Sequence, residues 1–402
     1  MADVRPFRAL RPRDDIAASV IAPPYDVLTD AEARALAAHA DCFVHVTRSE
    51  VDLPAGADAH SQAAYDQARA NLDALQERGA MVLDAEPTYY LYGQKMGDHS
   101  QVGVVAACSV DEYDCGDIRK HEYTRPDKED DRTHHMEVLD AQVGLVFLAA
   151  RPDPAFSEIL QQLSSAAPAW RVTTEDDVEH ALWPIPQEHV ASLRGVLEAI
   201  PRLYIADGHH RSAAASRVHA NRGAERTAHF LAGIFPADQL QVMAYNRVVN
   251  DLNGHTTDAF LEAVRACFDI SPGPPVPTAR QTFSMYLGDA WFTLTPKSGS
   301  FNEADPVARL DVAILQDNLL GPILGIEDPR RSERIRFVGG IRGPQALVEA
   351  VDAGAAVAFH MYPTGMDQLF DVADADQVMP PKSTWFEPKL REGVVVRLLD
   401  RG

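Results

Sequence analysis

The stretch LYIADGHHRSAAASRVHA, residues 203–220, gives the clearest indication of how this chain folds. Its first residues, Leu203–Ala206, are apolar and predict a buried strand. The small residues from Ala213 onward predict a helix that packs closely against its neighbours. The polar turn between the two elements consists of Asp207, Gly208, His209, His210 and Arg211.

This strand-turn-helix predicts an anion site, most naturally for phosphate. The first N–H groups of a helix have no intrahelical acceptor and lie at the positive end of the helix dipole. Gly208 permits a tight turn close to a ligand, and Arg211 offers paired donors that suit phosphate. In the alternative interpretation, Asp207 is only a helix cap and the histidines are solvated turn residues. Five adjacent residues of functional type favour the anion site.

The charged segment RKHEYTRPDKEDDR, residues 119–132, is a second candidate. It could be a solvated loop followed by the start of a helix. It could also be a functional loop, whose carboxylates act as a general base or metal ligand and whose cations bind phosphate. The residue types leave both interpretations open. The candidate residues in it are His121, Glu122, Arg125, Asp131 and Arg132.

Two proline-rich motifs add weaker signals. APPYDV contains Tyr25 and Asp26, and by itself it favours a rigid turn before a capped helix. PPKSTWFEPK places Lys382, Ser383 and Thr384 in a stiff loop, where lysine and hydroxyl groups suit phosphate or a polar substrate group. Histidines at positions 121, 134, 135, 209 and 210 could gather round a metal ion, which their spacing leaves open. There is no P-loop and no HExxH pair.

The composition indicates a globular protein with an acidic balance. The 402 residues are 46% hydrophobic and 24% charged, with a formal net charge of -22. Nucleic-acid binding needs a basic face, so no nucleic-acid partner is expected. No apolar run approaches the ~18 residues that span a bilayer and no signal peptide is visible, so we expect a cytoplasmic protein without membrane contact. Four scattered cysteines agree with a reducing compartment.

Strand and helix patterns alternate irregularly along the chain, which predicts an α+β or mixed α/β fold with mixed sheets. Thr29 and Glu32 have capping-box spacing at the start of a helix. Residues 88–96 and 101–110 indicate two strands joined by the turn GDHS. Residues 306–324 indicate one long helix.

Four motifs, taken together and in this order, resemble the domain-of-unknown-function family 1015: APPYDV, HEYTRPDKEDDR, ADGHHR followed by alanines, and PPKSTWFEPK. The resemblance runs from about Pro6 to Leu399. Members usually carry an aromatic residue after the arginine of GHHR, where this chain has Ser212. The DGHHR turn also resembles the phosphate-binding motif of the ParB/sulfiredoxin-like superfamily, which includes partition proteins, sulfiredoxin and a free serine kinase.

The resemblance implies a ParB/sulfiredoxin-like nucleotide-binding core with additional α/β elements. Its predicted extent is 96–250, after an N-terminal helical and extended segment (1–95) and before a C-terminal α/β domain (251–402) that returns a loop to the site. The proline-rich stretch 272–277 is the best candidate for a linker. The catalytic cysteine of sulfiredoxin and the DNA-binding module of partition proteins have no counterpart here, so neither activity is expected.

The implied function is a nucleotide-dependent phosphotransferase, a kinase acting on a small hydroxylated metabolite such as serine or a hydroxy acid. Its cofactors would be ATP or ADP with Mg²⁺, the metal lying between the phosphates and Asp207 or Glu122. A metal-dependent phosphohydrolase and a nucleotide-binding switch without turnover are the alternatives. Whether the chain forms a homodimer is left open.

The candidate residues divide by predicted role. The catalytic candidates are Glu122, Asp131, Asp207 and His210, with Glu122 or Asp131 as the general base. The nucleotide-binding candidates are Gly208, His209, His210, Arg211, Lys382, Ser383 and Thr384. The substrate-binding candidates are Tyr25, Asp26, His121, Arg125 and Arg132. We expect residues 121–132, 207–211 and 382–384 to converge on one pocket, with Asp26 nearby.

Overall fold

The computed structural model describes residues 2–399 and has an α+β architecture with mixed sheets, as the sequence predicts. Its α-helices are α1 (Ala17–Val20), α2 (Asp30–Leu36), α3 (Val44–Thr47), α4 (Gln62–Glu77), α5 (Val110–Cys115), α6 (Pro126–Leu139), α7 (Pro154–Ser164), α8 (Gln187–Ala199), α9 (His209–Arg222), α10 (Thr257–Cys267), α11 (Asp311–Leu315), α12 (Gln345–Asp352) and α13 (Met366–Asp374). Among the described residues, no helix is both long and apolar enough to span a bilayer.

The strands belong to four sheets. They are β1 (Val4–Arg5), β2 (Ala9–Pro12), β3 (Met81–Leu83), β4 (Tyr90–Met96), β5 (His99–Ser109), β6 (Ile118–Arg119), β7 (Ala141–Gln142), β8 (Val146–Ala150), β9 (Trp170–Thr173), β10 (Val178–Pro184), β11 (Leu203–Asp207), β12 (His229–Pro236), β13 (Gln241–Met243), β14 (Tyr245–Val249), β15 (Phe268–Pro272), β16 (Phe283–Leu287), β17 (Ala290–Pro296), β18 (Ile335–Gly339), β19 (Val357–His360), β20 (Trp385–Glu387) and β21 (Val396–Leu398).

The largest sheet has nine strands in the order β6-β11-β8-β12-β5-β4-β10-β9, with β1 paired to β5. Strand β8 is a continuous apolar run, as is β12 after its first residue, His229, and both faces of each strand are buried. β11 runs parallel to β6, with Leu203 beside Ile118 and Tyr204 beside Arg119. Because parallel strands end at the same edge, the charged segment that follows β6 comes out beside the polar turn that follows β11.

The chain forms two compact units, and their limits differ from the predicted division at residues 95 and 250. One unit comprises the chain up to Leu240 together with the segment from Pro388 onward; the other is Gln241–Glu387. The first 95 residues do not stand apart, because β1 pairs with β5 and β2 pairs with β21. The C-terminal segment therefore completes the first unit.

The unit Gln241–Glu387 contains a six-stranded sheet in the order β15-β17-β16-β19-β14-β18 and the pair β13-β20. The proline-rich stretch 272–277 begins at the end of β15 inside this unit, so it is a loop and not a linker between units. The predicted long helix is shorter than expected: α11 is followed by a π-helical turn, Gln316–Leu320. Before it, Asp305 Oδ1 accepts hydrogen bonds from two backbone N–H groups, which favours turns over helix.

Several local predictions are confirmed. Thr29 and Glu32 form the capping box of α2. The predicted hairpin is β4 and β5, in which Met96 pairs with His99 across a tight turn. In the charged segment, α6 begins at Pro126, the favoured place for proline in a helix, so the segment is a loop followed by the start of a helix, and Asp131 is the buried residue of its helical part.

Candidate functional site

The turn after β11 has the geometry of an open helix N-terminus. Gly208 has a φ of +93°, a left-handed conformation, and is the N-cap of α9. The N–H groups of Arg211 and Ser212 donate to the Gly208 carbonyl at 2.9 and 3.1 Å. Among residues 2–399, no side chain accepts a capping hydrogen bond from this end of the helix. The first N–H groups of α9 are therefore available to an anionic ligand.

Asp207 ends β11, and Lys389 holds its carboxylate. Lys389 Nζ lies 2.9 Å from Asp207 Oδ2, and Asp207 Oδ1 accepts a hydrogen bond from the Gly208 N–H at 2.7 Å. Desolvation alone would raise the pKa of Asp207, but Lys389 and Arg211 hold it well below its usual range. The side chain is 43% exposed, so an ionised carboxylate remains accessible to a ligand.

Arg211 is engaged inside the protein. Its Nη1 donates to the Leu145 carbonyl at 2.9 Å, and its Nη2 donates to Glu392 Oε1 at 3.2 Å. The guanidinium carbon lies 5.7 Å from the centroid of the Tyr25 ring, and the side chain is 17% exposed. Gly144 permits this packing, since a Cβ atom there would lie 2.9 Å from Arg211 Nε. Arg211 therefore anchors the turn, and its direct contact with phosphate stays a prediction.

Asp131 belongs to a buried network that includes the predicted substrate residues Tyr25 and Arg132. The Arg132 guanidinium lies 4.1 Å from the Tyr25 ring centroid and 2.6 Å from Asp131 Oδ2. Asp131 Oδ1 also lies 2.7 Å from both His60 Nδ1 and the Tyr65 hydroxyl. Burial alone would raise the pKa of Asp131, but these partners lower it to about 2. Its carboxylate is fully engaged in this network, so the geometry does not support Asp131 as the general base.

A small cavity lies beside Arg211 and Tyr25, with Glu392 in its wall. Its volume of about 30 Å³ holds about two water molecules and is too small for a nucleotide. The side chain of Glu392 is 3% exposed. Burial raises the pKa of Glu392 to about 7, although Arg211 acts in the opposite direction. The cavity therefore contains a buried carboxyl group whose pKa lies well above its ordinary value.

His121, Glu122 and His209 converge where β6 and β11 end. One potential ligand atom from each lies within 4.8 Å of the others. The rings of His121 and His209 meet edge to face with centroids 4.5 Å apart, and the His121 N–H lies 3.5 Å from His209 Nε2. Burial lowers the pKa of His121 to about 4 and that of His209 well below its usual value. Both imidazoles are therefore neutral at pH 7.

His210 and Arg125 also join the two segments. The Arg125 N–H donates to His210 Nε2 at 3.1 Å, and the Arg125 side chain is 67% exposed. Burial lowers the pKa of His210. Asp26 is exposed, and its carboxylate lies close enough to Arg211 to interact with it electrostatically. Burial alone would lower the pKa of Arg211, but the charges of Glu392 and Asp26 raise it.

Lys382, Ser383 and Thr384 lie in the unit Gln241–Glu387, in the loop before β20. Ser383 is buried and its Oγ donates to the Pro380 carbonyl at 2.6 Å. The Lys382 carbonyl accepts a hydrogen bond from Arg247 Nη2 at 3.1 Å. Arg247 is buried, and burial lowers its pKa to about 10. These contacts shape the loop within its own unit, and its part in nucleotide binding stays a prediction.

Of the three segments expected to converge, 121–132 and 207–211 contact each other, His121 with His209 and Arg125 with His210, whereas the convergence of 382–384 on them stays a prediction. The two predicted Mg²⁺ ligands do not share a cluster of potential metal ligands. Glu122 belongs to the group with His121 and His209, whereas within residues 2–399 no group of three or more potential metal ligands contains Asp207. Sequence reasoning missed Lys389 and Glu392. Lys389 is the last residue of the motif PPKSTWFEPK, so its position in the motif could have marked it as a candidate. Glu392 lies outside every motif, so the sequence offered no indication of its role.

The fold and this site define an α+β protein with an open helix N-terminus beside a cluster of imidazole and carboxylate groups. Residues 4–313 match the family described as Protein of unknown function (DUF1015), and the chain belongs to this family. The match ends before the PPKSTWFEPK segment. No curated protein matches the sequence.

Three solved structures show a distant likeness. SbnI with a C-terminal truncation, from Staphylococcus aureus, is 12% identical, with 74% of this chain and 89% of that chain covered and a TM-score of 0.42. A free serine kinase mutant in complex with AMP is 11% identical, with coverage of 71% and 87% and a TM-score of 0.37. A conserved hypothetical protein from Pyrococcus furiosus is 12% identical, with coverage of 74% and 96% and a TM-score of 0.36.

Proposed function

We propose that this protein is a nucleotide-dependent phosphotransferase that acts on a small hydroxylated metabolite such as serine. The observation that supports the proposal most directly is the start of α9, where Gly208 is left-handed, no side chain caps the helix, and Lys389 lies beside the turn. A helix start of this kind binds phosphate through its N–H groups and its dipole. The resemblance of DGHHR to the ParB/sulfiredoxin-like phosphate motif supports the same ligand.

In this proposal the nucleotide phosphates lie against the first turn of α9. Lys389 has a flexible stem and is 19% exposed, so its ammonium can turn from Asp207 towards an incoming phosphate. That movement releases the ionised carboxylate of Asp207 for the acceptor hydroxyl or for a cation that the nucleotide carries. ATP or ADP with Mg²⁺ is the expected cofactor, because carboxylate and phosphate oxygens suit Mg²⁺.

The transfer step needs a base for the acceptor proton. The acceptor oxygen forms a bond to the terminal phosphorus, the bond to the leaving phosphate oxygen breaks, and the hydroxyl proton passes to the base. Glu122 is exposed and close to His209, so it is the predicted base, and Asp207 is the second candidate. The neutral His210 can donate a hydrogen bond to the transferring group.

Binding is tested by calorimetric titration of AMP, ADP, ATP and inorganic phosphate. We expect Lys389→Met to weaken nucleotide binding about 10- to 100-fold, as the loss of a charged hydrogen bond does. Lys95→Met, which changes an exposed lysine on β4, is the matched control and should bind as the parent does. If no nucleotide binds the parent protein, or if the two variants bind alike, the proposal is wrong.

Turnover is tested by following ADP or AMP release with and without serine and related hydroxy acids. Release that depends on an acceptor supports a kinase, whereas equal phosphate release without acceptor supports the phosphohydrolase. Binding without either product supports a switch. Asp207→Asn should retain nucleotide binding while turnover falls, since an amide neither accepts a proton nor balances a cation. If Asp207 serves only the turn, Asn preserves both properties.

A further inference from the structure

The cluster of His121, Glu122 and His209 has the donor set of a metal site that differs from the expected magnesium site. Its potential ligand atoms lie within 4.8 Å of one another, and both histidines are buried while Glu122 is exposed. Imidazole nitrogen suits zinc, iron, nickel and copper, whereas magnesium favours oxygen ligands. Two imidazoles and one carboxylate therefore favour a transition metal.

His121 supplies an independent reason to expect a ligand here. His121 is 2% exposed, and among the described residues neither of its ring nitrogens has a hydrogen-bond partner of standard geometry; the ring makes only a weak contact with the backbone of Ile205. The buried polar atoms of a folded protein are almost always hydrogen-bonded, and an exception commonly marks an ion or a water molecule. A buried polar atom without a partner costs free energy, and a metal ion bound to one nitrogen of His121 would remove this cost at that nitrogen.

The other two residues are compatible with ligation. The contact between the His121 N–H and His209 Nε2, at 3.5 Å, is at the long limit of a hydrogen bond, so a metal ion can replace it at small cost. Both imidazoles are neutral at pH 7 and have a lone pair for a metal, as the low pKa values of His121 and His209 indicate. Glu122, as the exposed member, leaves the site open on one side.

We propose that His121, Glu122 and His209 bind one divalent transition-metal ion, with Zn²⁺ the expected occupant. Zinc sites with two histidines and one glutamate leave a fourth position open for water or another ligand. His209 is the first residue of α9, so the open position lies near the proposed phosphate site. The metal proposal stands on the ligand cluster alone and does not require a nucleotide; with Glu122 bound to the ion, Asp207 is the base in the proposed function.

The test uses the full-length protein after chelator dialysis, without nucleotide, and measures Zn²⁺ binding by calorimetry and Co²⁺ binding by visible absorption. We expect one ion per chain and a visible Co²⁺ band of a four- or five-coordinate site. Mg²⁺ should not displace the Co²⁺. A silent Co²⁺ titration, or binding that millimolar-scale Mg²⁺ abolishes, overturns the proposal.

Three variants locate the site. Glu122→Gln and His209→Ala should weaken Zn²⁺ binding by about tenfold or more, since even the outer partners of metal ligands contribute 10- to 100-fold. His134→Ala is the matched control, because His134 is a histidine of α6 that pairs with Gln62. Equal affinity in Glu122→Gln and the parent, or an equal loss in His134→Ala, overturns the assignment.

Folding is controlled by urea unfolding with and without Zn²⁺. A ligand that binds only the native state raises its stability, so Zn²⁺ should raise the unfolding midpoint of the parent and of His134→Ala by more than that of Glu122→Gln. Glu122 is exposed, so this variant should remain folded. If the parent protein binds nucleotide but not Zn²⁺, the metal site alone is refuted; if it binds Zn²⁺ but no nucleotide, the proposed function alone is refuted.

Discussion

Arg211 occupies the place that the motif assigns to a phosphate-binding arginine. In the structure, however, its two terminal nitrogens donate hydrogen bonds to the Leu145 carbonyl and the Glu392 carboxylate. We therefore expect Arg211→Lys to act mainly on stability. An ammonium cannot reproduce two bonds in fixed directions, so the free energy of unfolding should fall by about 1–3 kcal/mol. Urea unfolding measures this change, and calorimetry should show a smaller loss of nucleotide affinity than in Lys389→Met.

Arg217→Lys is the matched control on the same helix. Arg217 is 42% exposed and pairs with Glu129 and Asp130 at the surface, so the change should cost about 0.5 kcal/mol or less. A large loss of nucleotide affinity in Arg211→Lys at unchanged stability would instead support the prediction that Arg211 binds phosphate directly.

Glu392 makes stability depend on pH in a direction opposite to that of an ordinary paired carboxylate. Its pKa is about 7 in the native state against 4.5 when unperturbed, so the native state holds the proton more tightly between these values. The contribution of Glu392 to stability is therefore full below pH 4.5 and is lost as the pH rises towards 7. At 1.36 kcal/mol per pKa unit, the loss is roughly 3 kcal/mol.

Glu392→Gln isolates this effect, since the amide keeps the shape and cannot ionise. The difference in unfolding free energy between parent and variant should shift by roughly 3 kcal/mol in favour of the variant from pH 4.5 to 8. Urea unfolding at several pH values measures it, and groups such as His121 and Asp131 titrate alike in both proteins. Parallel pH profiles would show that Glu392 ionises normally.

At the scale of elements, two glycines at the ends of α9 allow a matched comparison. Gly208 and Gly223 both have positive φ, +93° and +60°, so alanine at either position should cost roughly 1–2 kcal/mol. A Cβ at Gly223 meets nothing within 4 Å, whereas one at Gly208 would lie 3.3 Å from Val146 Cα. We expect both variants to lose stability, but only Gly208→Ala to lose nucleotide affinity, as measured by calorimetry. Equal affinities would remove the turn from the binding site.

The same elements show what the sequence could predict. The strand and helix of residues 203–220 follow from local signals: an apolar run, a glycine that reaches positive φ, and small residues of high helix propensity. Their positions are confirmed as β11 and α9. The helix α6 was harder to predict, because its charged residues conceal an inner face that buries Asp131 and His135.

Contacts between distant parts of the chain could not be read from local patterns. Lys389 meets Asp207 across 182 positions, and Glu392 meets Arg211 across 181. Both contacts depend on the return of the C-terminal segment to the first unit, where β21 pairs with β2 and β7. Motif reasoning therefore selected Lys382 in the same loop motif and overlooked Lys389.

At the scale of the whole molecule, the first compact unit is discontinuous in sequence, and the other unit is an insertion between Leu240 and Pro388. Gln241 and Glu387 are antiparallel partners in β13 and β20, so their Cα atoms lie about 5 Å apart. A short flexible linker can therefore join residue 240 to residue 388 without strain. We expect the variant in which such a linker replaces residues 241–387, the linked deletion, to fold cooperatively, as measured by circular dichroism during urea unfolding.

The deletion variant also separates the two proposed sites from the inserted unit. His121, Glu122, His209 and Lys389 all remain in it, so it should bind Zn²⁺ with the parent's affinity. A chain that stops at Glu387 makes the opposite prediction: it lacks β21, the strand between β2 and β7, and it lacks Lys389 and Glu392. That truncation should lose cooperative unfolding of the first unit, whereas the linked deletion should keep it. An unfolded linked deletion would show that residues 241–387 are needed for the fold of the first unit.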